Sequence, residues 1–280
     1  MRVAAYYWEF PQPPSEVYCP ATPQAAITIA LAVLCAAVFV VGLVTWRRTG
    51  TPLLLMASLG GAVASVNEPV MDILARVWFY DGGGQWTAFT TYGRPIPIWL
   101  PMAYFAFFGA APYFMARYLR KGFLGGSDSF PWWRAAAVPV GLNLLLEMPL
   151  LQSGLYIYYG YQPYTVLGLP LYWCLINGLA VMLDCAIMLR LGHLFTGPRV
   201  LLYLLVPVFT QLTAGAVGVP IYALGNAGVT GPGLWLAGAA TFGLGIACFH
   251  LVGRITRDPS LLTRRGGSPA LGAAILAARS

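Results

Sequence analysis

Apolar positions gather into seven long runs, at residues 24–46, 52–79, 95–118, 132–157, 168–192, 199–222 and 232–253, with short polar connections between them. A bilayer core of about 30 Å takes roughly 20 apolar residues as helix, so each run is long enough to cross it. The pattern predicts an all-α, polytopic membrane bundle of about seven transmembrane helices. Basic residues fall in every second connection. Arg47 and Arg48 follow the first run, and Arg117, Arg120 and Lys121 follow the third, with Arg134 opening the fourth. Arg190 and Arg199 flank the connection after the fifth, and Arg254, Arg257, Arg264 and Arg265 follow the seventh. The connections between these hold Arg76 and Arg94, or no base at all. Because cytoplasmic loops are the ones enriched in Lys and Arg, the expected N-terminus is outside and the C-terminus cytoplasmic. Residues 1–258 then form one transmembrane domain, with an aromatic segment at 1–23, and 259–280 a cytoplasmic tail.

Composition agrees with that picture. Hydrophobic residues make up 59% of the 280 positions and charged residues 9%, too little polar surface for a water-soluble globule of this size. The formal charge of +7 is spread over short loops and forms no continuous basic stripe, so no nucleic-acid partner is expected. No basic segment with a short apolar core and a small-residue cleavage site precedes Gln24, so the first run is expected to be kept as an anchor. Arginines outnumber lysines fifteen to one in an Ala- and Gly-rich chain, which points to a GC-rich bacterial genome and a bacterial cytoplasmic membrane. Cys35, Cys174, Cys185 and Cys248 lie in apolar runs and only Cys19 in a polar segment; no disulfide framework is visible.

The connections expected to face outward are rich in aromatics and glycine, at 80–95 and 156–163, and residues 6–10 add further rings on that side. An interfacial belt with turn glycines accounts for most of them, and their density also suits a lid over an outward cavity. A short internal repeat runs through the same region. Glu68 and Pro69 are followed by Tyr80 and Gly82, Glu147 and Pro149 by Tyr159 and Gly160, and each unit leads into a proline-led helix near Pro95 or Pro170. Repeats of this kind often enclose a central site.

Nine acidic residues are few enough to place one by one. Glu9, Glu16, Asp81, Asp128 and Asp258 fall outside the runs; Glu68, Asp72, Glu147 and Asp184 fall inside them. An ionisable group in hydrocarbon costs ~2.5–3.5 kcal/mol, which makes each of the four a candidate functional residue facing the bundle interior. With a rise of ~1.5 Å per residue, Glu68 and Glu147 each lie ~18 Å from the aromatic boundary at Tyr80 and Tyr159, at one depth. Asp72, one turn on from Glu68, is spaced for an i,i+4 ion pair with Arg76. Asn67, Asn143 and Asn177 lie at similar depth, where an amide can orient a carboxyl.

Desolvation disfavours the charged form of a carboxyl, so an acid kept dry holds a proton that it can donate. Trp78, Trp86, Trp99, Tyr104, Tyr156, Tyr159, Tyr172 and Trp173 are expected near the outer helix ends, and ring faces stabilise cations without acting as nucleophiles. A dry acid under an aromatic-lined cavity is what proton-initiated cyclisation of a polyene requires. The same rings also serve as bilayer anchors. Other chemistries lack their residues. His193 and His250 are too few for a di-iron histidine cluster, no aspartate-rich DDxxD motif is present to hold magnesium, and Walker, GxSxG and HExxH sequences are absent. No metal or cofactor is expected.

The stretch Asn67-Glu68-Pro69-Val70-Met71-Asp72, followed by Gly84-Gln85-Trp86 and Gly93-Arg94-Pro95-Ile96-Pro97, resembles the bacterial integral-membrane terpene cyclases of drimentine-type pathways, themselves similar in size and topology to fungal meroterpenoid cyclases. The resemblance implies protonation of a prenyl chain carried on an indole, a diketopiperazine or a related aromatic core, and cyclisation without loss of diphosphate. It implies that Glu68 is the proton donor. The fungal pattern has a second acid in its last helix, where this chain has none; Glu147 is taken as the substitute, with Asp184 behind it. The expected partners are a prenylated small molecule and membrane lipid. Readings of other classes are a proton-coupled small-molecule transporter and a lipid- or quinone-binding membrane protein. A sterol-isomerase-like enzyme and a carotenoid end-group cyclase also use carbocations, but the latter carries adjacent acids where this chain has Glu68 before Pro69.

Overall fold

The structure is a computed structural model that describes residues 11–14, 17–124 and 131–257. The aromatic residues 6–10, Glu9, Glu16, Asp128 and the tail from Asp258 onward lie outside the described residues.

The chain is mostly helical, and six of its helical stretches are long and apolar enough to cross a membrane. They are α1 (Ala21–Thr49); α2 (Leu53–Ala64) continued by α3 (Glu68–Ala75); α6 (Trp132–Gln152); α7 (Leu171–Leu191); α8 (Val206–Gly215) with α9 (Val219–Asn226); and α10 (Pro232–Arg257). A further helical run is assembled from α4 (Trp99–Tyr104), a π-helical stretch (Phe105–Ala110) and α5 (Ala111–Leu124). Most apolar side chains of α1 are exposed, as are Leu236, Ile246 and Leu251 of α10, while α7 is buried along most of its length. Exposed apolar helix faces around a buried centre are what an integral membrane protein presents to lipid.

Prolines set the breaks in the helices. Pro69 has no N–H for the carbonyl one turn back, and the helix tightens into a 3-10 turn at Ser65–Asn67 before resuming at Glu68. Pro220 follows a similar 3-10 turn at Ala216–Gly218. The backbones of α2 and the π stretch touch: a Cβ on Gly61 would lie 2.4 Å from the Tyr104 carbonyl oxygen, and one on Gly109 2.5 Å from the Ser58 Cα.

The second and fourth apolar runs stop as helices sooner than the hydrophobic pattern predicts. Arg76 ends α3 in the left-handed region (φ 59°), and Gly154 does the same shortly after α6 (φ 72°). The residues that follow, Val77–Phe79 (β1) and Tyr156–Tyr158 (β4), are β-branched or aromatic and pair as antiparallel strands, Trp78 opposite Ile157. The depth derived from an unbroken helix is therefore corrected. Glu68 and Glu147 lie only ~8–11 Å from the ends of their helices.

The two units of the repeat share one order of elements: helix, strand, hairpin, helix. In the first, the hairpin is β2 (Thr87–Thr91) with β3 (Arg94–Pro97); in the second it is β5 (Thr165–Val166) with β6 (Leu169–Pro170). Each turns on two positive-φ residues, Tyr92 with Gly93 and Leu167 with Gly168, the conformation of a tight type I′ hairpin. These strands cap one end of the bundle. Gln24 fastens the cap to α1, its amide donating to the Gly84 carbonyl at 3.1 Å and its carbonyl accepting from the Trp86 N–H at 2.7 Å.

Candidate functional site

A cavity of about 430 Å³ lies under the strand cap, and both Glu68 and Glu147 are in its wall. Apart from Asn143 and Asn177 beside Glu147, its lining is apolar and aromatic, with Phe79 of β1, Trp99, Tyr104, Phe107, Phe108 and Phe114 of the α4–α5 run, Tyr156 and Tyr158 of β4, and Trp173 of α7. Phe79 packs edge-on to Trp99 at 5.6 Å and is tilted against Tyr156 at 5.3 Å. One side of the cavity is aliphatic, lined by Leu31, Leu34 and Val38 of α1 and by Leu142, Leu146 and Leu150 of α6. Leu34 and Leu146 are 44% and 49% exposed, so this side opens on the apolar flank of the bundle.

The two carboxyls have contrasting partners. Glu68 begins α3 directly after the 3-10 turn and accepts a short hydrogen bond from the Tyr104 hydroxyl. That hydroxyl accepts from the Gln211 amide at 2.8 Å, and the Gln211 carbonyl accepts from Asn67 at 2.9 Å. The donors all point the same way, from Asn67 through Gln211 and Tyr104 to Glu68, so each bond polarises the next. Glu147 receives four donors. Asn143 (2.7 Å) and Asn177 (3.1 Å) bond its Oε1, and Tyr158 (2.8 Å) and Tyr156 (3.0 Å) bond its Oε2. Burial pushes both β4 tyrosine hydroxyls well above their ordinary value, followed by the effect of the nearby Glu147, so they stay protonated and remain donors. Four donors and no acceptor are the complement of a charged carboxylate.

Of the candidates read from the sequence, Glu68, Glu147, Asn143, Asn177, Tyr156 and Trp173 converge on the cavity. Asp72, Asp184, Asn67, Trp78, Trp86, Tyr159 and Tyr172 do not line it. Asn67 is one step behind it, at the start of the chain that ends on Glu68. Asp184 is buried away from it and accepts from the Tyr203 hydroxyl. Trp78 lies under the Arg94 guanidinium, 4.8 Å from its ring centre, and Tyr159 accepts from the same arginine at 2.8 Å. Tyr172 donates to Gln162 at 2.6 Å, and Trp86 is half exposed in the cap.

Asp72 and Arg76 do not form the expected ion pair. Neither oxygen of Asp72 has a hydrogen-bond partner among the described residues, and the left-handed turn at Arg76 carries its guanidinium to the Gly225 carbonyl, 3.3 Å away. Tyr158, Gln211, Phe79, Phe107, Phe108 and Phe114 were not singled out by sequence. Tyr158 had a usable signal, since on a strand it shares a face with Tyr156. Gln211 had a weaker one, as a lone amide in an apolar run.

No protein-family model, no curated protein and no solved structure matches the chain.

Proposed function

We propose that this chain is a membrane-embedded terpene cyclase that starts a carbocation cascade by protonating a prenyl chain. The observation that carries the reading is the meeting of Glu68, with one hydrogen-bond donor, and Glu147, with four, in one aromatic-walled cavity. Glu68 accepts from Tyr104 on one oxygen and gives its proton from the other to the distal alkene or epoxide of the substrate. With an alkene the π electrons form the new C–H bond, and with an epoxide the oxygen takes the proton as its C–O bond breaks; each tertiary cation that follows is closed by the next double bond against the faces of Phe79, Trp99, Phe108 and Trp173. Glu147, held as a carboxylate by its four donors, takes the proton lost at the end; water capture is the other termination. Two carboxyls with contrasting surroundings divide the acid and base roles in this way. A prenyl chain enters from lipid past Leu34 and Leu146, its aromatic core trailing.

The same reading takes the α4–α5 run as a seventh span, which sets the N-terminus outside and the strand cap on the outer face, with the arginine-rich connections in the cytoplasm. The substrate is an apolar prenylated aromatic such as a farnesylated indole. The test is conversion by membranes carrying the wild type, Glu68→Gln or Glu147→Gln. A product of unchanged mass and new retention time, lost in Glu68→Gln and kept in Asp81→Asn, is expected. An inert wild type across a broad prenylated panel, or a fully active Glu68→Gln, would sink the proposal.

A further inference from the structure

A donor that spends its proton must be reloaded, and a cavity filled with hydrocarbon offers no water for the purpose. On the cap side of Glu68, several buried polar atoms have no hydrogen-bond partner among the described residues. They are both carboxyl oxygens of Asp72, the Arg76 Nε, the Trp78 Nε1 and the Tyr222 hydroxyl. Asp72 is 1% exposed. A buried carboxyl with neither oxygen bonded is costly unless water or a proton occupies it. Asp72 follows Glu68 by four residues on α3, so the two side chains share a helix face ~6 Å apart. Glu68 and Arg94 are both near enough to act on its charge, as it acts on Tyr104. Arg94 is partly exposed, reaches in over the Trp78 ring, and bonds the Val77 carbonyl and Tyr159. Glu68, Asp72 and Arg94 are thus close enough to act on one another's charge, and Arg94 continues to Trp78 and Tyr159 beside the strand cap.

We infer that Asp72 is the proton relay that reloads Glu68 from the strand-capped face, through water held between Asp72, Arg94, Trp78 and Tyr222. The inference rests on the reading of Glu68 as proton donor. Asp72 in its acid form gives its proton to the Glu68 carboxylate, the Asp72 carboxylate takes one from the water column, and Glu147 gives the proton it took to water as the product leaves; no other bond changes. Asp72 never touches the substrate, so it is a positioning residue for the proton and not a catalytic one. The competing route returns the proton from Glu147 across the emptied cavity, and that route does not need Asp72.

The experiment uses the purified full chain in lipid nanodiscs and needs no substrate. Infrared difference spectra against Glu68→Gln identify the Glu68 carboxylic C=O band, and transfer to D2O times its exchange. Asp72→Asn is expected to slow that exchange about tenfold or more, with Asp72→Glu restoring it. Arg94→Gln, one step further out, carries the same expectation and serves if Asp72→Asn does not fold. Unchanged exchange in these variants overturns the inference, as does the absence of any band lost in Glu68→Gln. With a farnesylated indole, Asp72→Asn should keep the first turnover and lose the steady-state rate by a similar factor. If the wild type converts nothing, the cyclase reading falls while the exchange measurement still decides the relay.

Discussion

At the scale of single residues, the site turns on how many donors each acid receives. Among the described residues Glu68 has one, the Tyr104 hydroxyl, so Tyr104→Phe removes that partner and also cuts the Gln211 amide loose. A hydrogen bond to a charged group is worth ~1.5–3 kcal/mol, and conversion is expected to fall about ten- to hundredfold while the protein still elutes as a folded species. Tyr158→Phe takes one of four donors from Glu147 and should cost less, a severalfold drop measured in the same assay. Equal losses in the two variants would argue against separate acid and base roles. The acids themselves were legible in the sequence, because charge is scarce in hydrocarbon and each carboxyl stands out. Their partners were less so. A tyrosine that bonds a catalytic acid and one that anchors a helix at the interface look the same along the chain, and Tyr158 differs from Tyr159 only by the strand geometry that turns one toward Glu147 and the other toward Arg94.

At the scale of elements, the crossing of α2 with the π stretch sets the position of Tyr104, and that crossing depends on two glycines. Gly61→Leu or Gly109→Val would drive a side chain into backbone, with costs of overpacking of ~1–3 kcal/mol or more. Loss of the monodisperse peak in detergent, or a clearly lowered unfolding temperature, is expected. Gly243→Ala in α10 meets nothing within 4 Å and should be neutral or stabilising by ~0.5–1 kcal/mol, which makes it the control. Hydropathy located the helices to within a few residues, since twenty apolar positions in a row admit few other forms. It misplaced the ends at Ala75 and Gln152, because Val77–Phe79 and Tyr156–Tyr158 are as hydrophobic as any helix. Only the partner strand reveals them as β, and pairing between residues so far apart leaves no local mark.

At the scale of the whole molecule, two expectations can be checked without knowing the substrate's core. In a background lacking the native cysteines, a membrane-impermeant maleimide applied to intact cells should label Thr165→Cys in the strand cap. It should reach His193→Cys only after permeabilisation; the reverse pattern would invert the proposed orientation. The aliphatic side of the cavity gives the second. Leu34→Trp and Leu146→Trp narrow the opening between α1 and α6, and the deficit in conversion should grow with prenyl chain length while the unfolding temperature holds. A deficit independent of chain length would place the entrance elsewhere. The membrane class was plain from composition, whereas the cavity was not, because its walls come from α1, α3, β1, the α4–α5 run, α6, β4 and α7, and no local pattern records which faces meet.

The π stretch at Phe105–Ala110 has a consequence best put in terms of the gene. Such a stretch is what a helix makes of one residue more than α geometry can hold, and this one follows Tyr104 and contributes Phe107 and Phe108 to the cavity. Loss of a single codon there would let the helix close to α form with the segments on either side kept in phase, so Tyr104 would stay at Glu68 and the change would fall on the side chains inside the stretch. Lineages that differ by one residue between Tyr104 and Ala111 should therefore keep the acid and its tyrosine and differ in which ring of the stretch reaches the cavity wall.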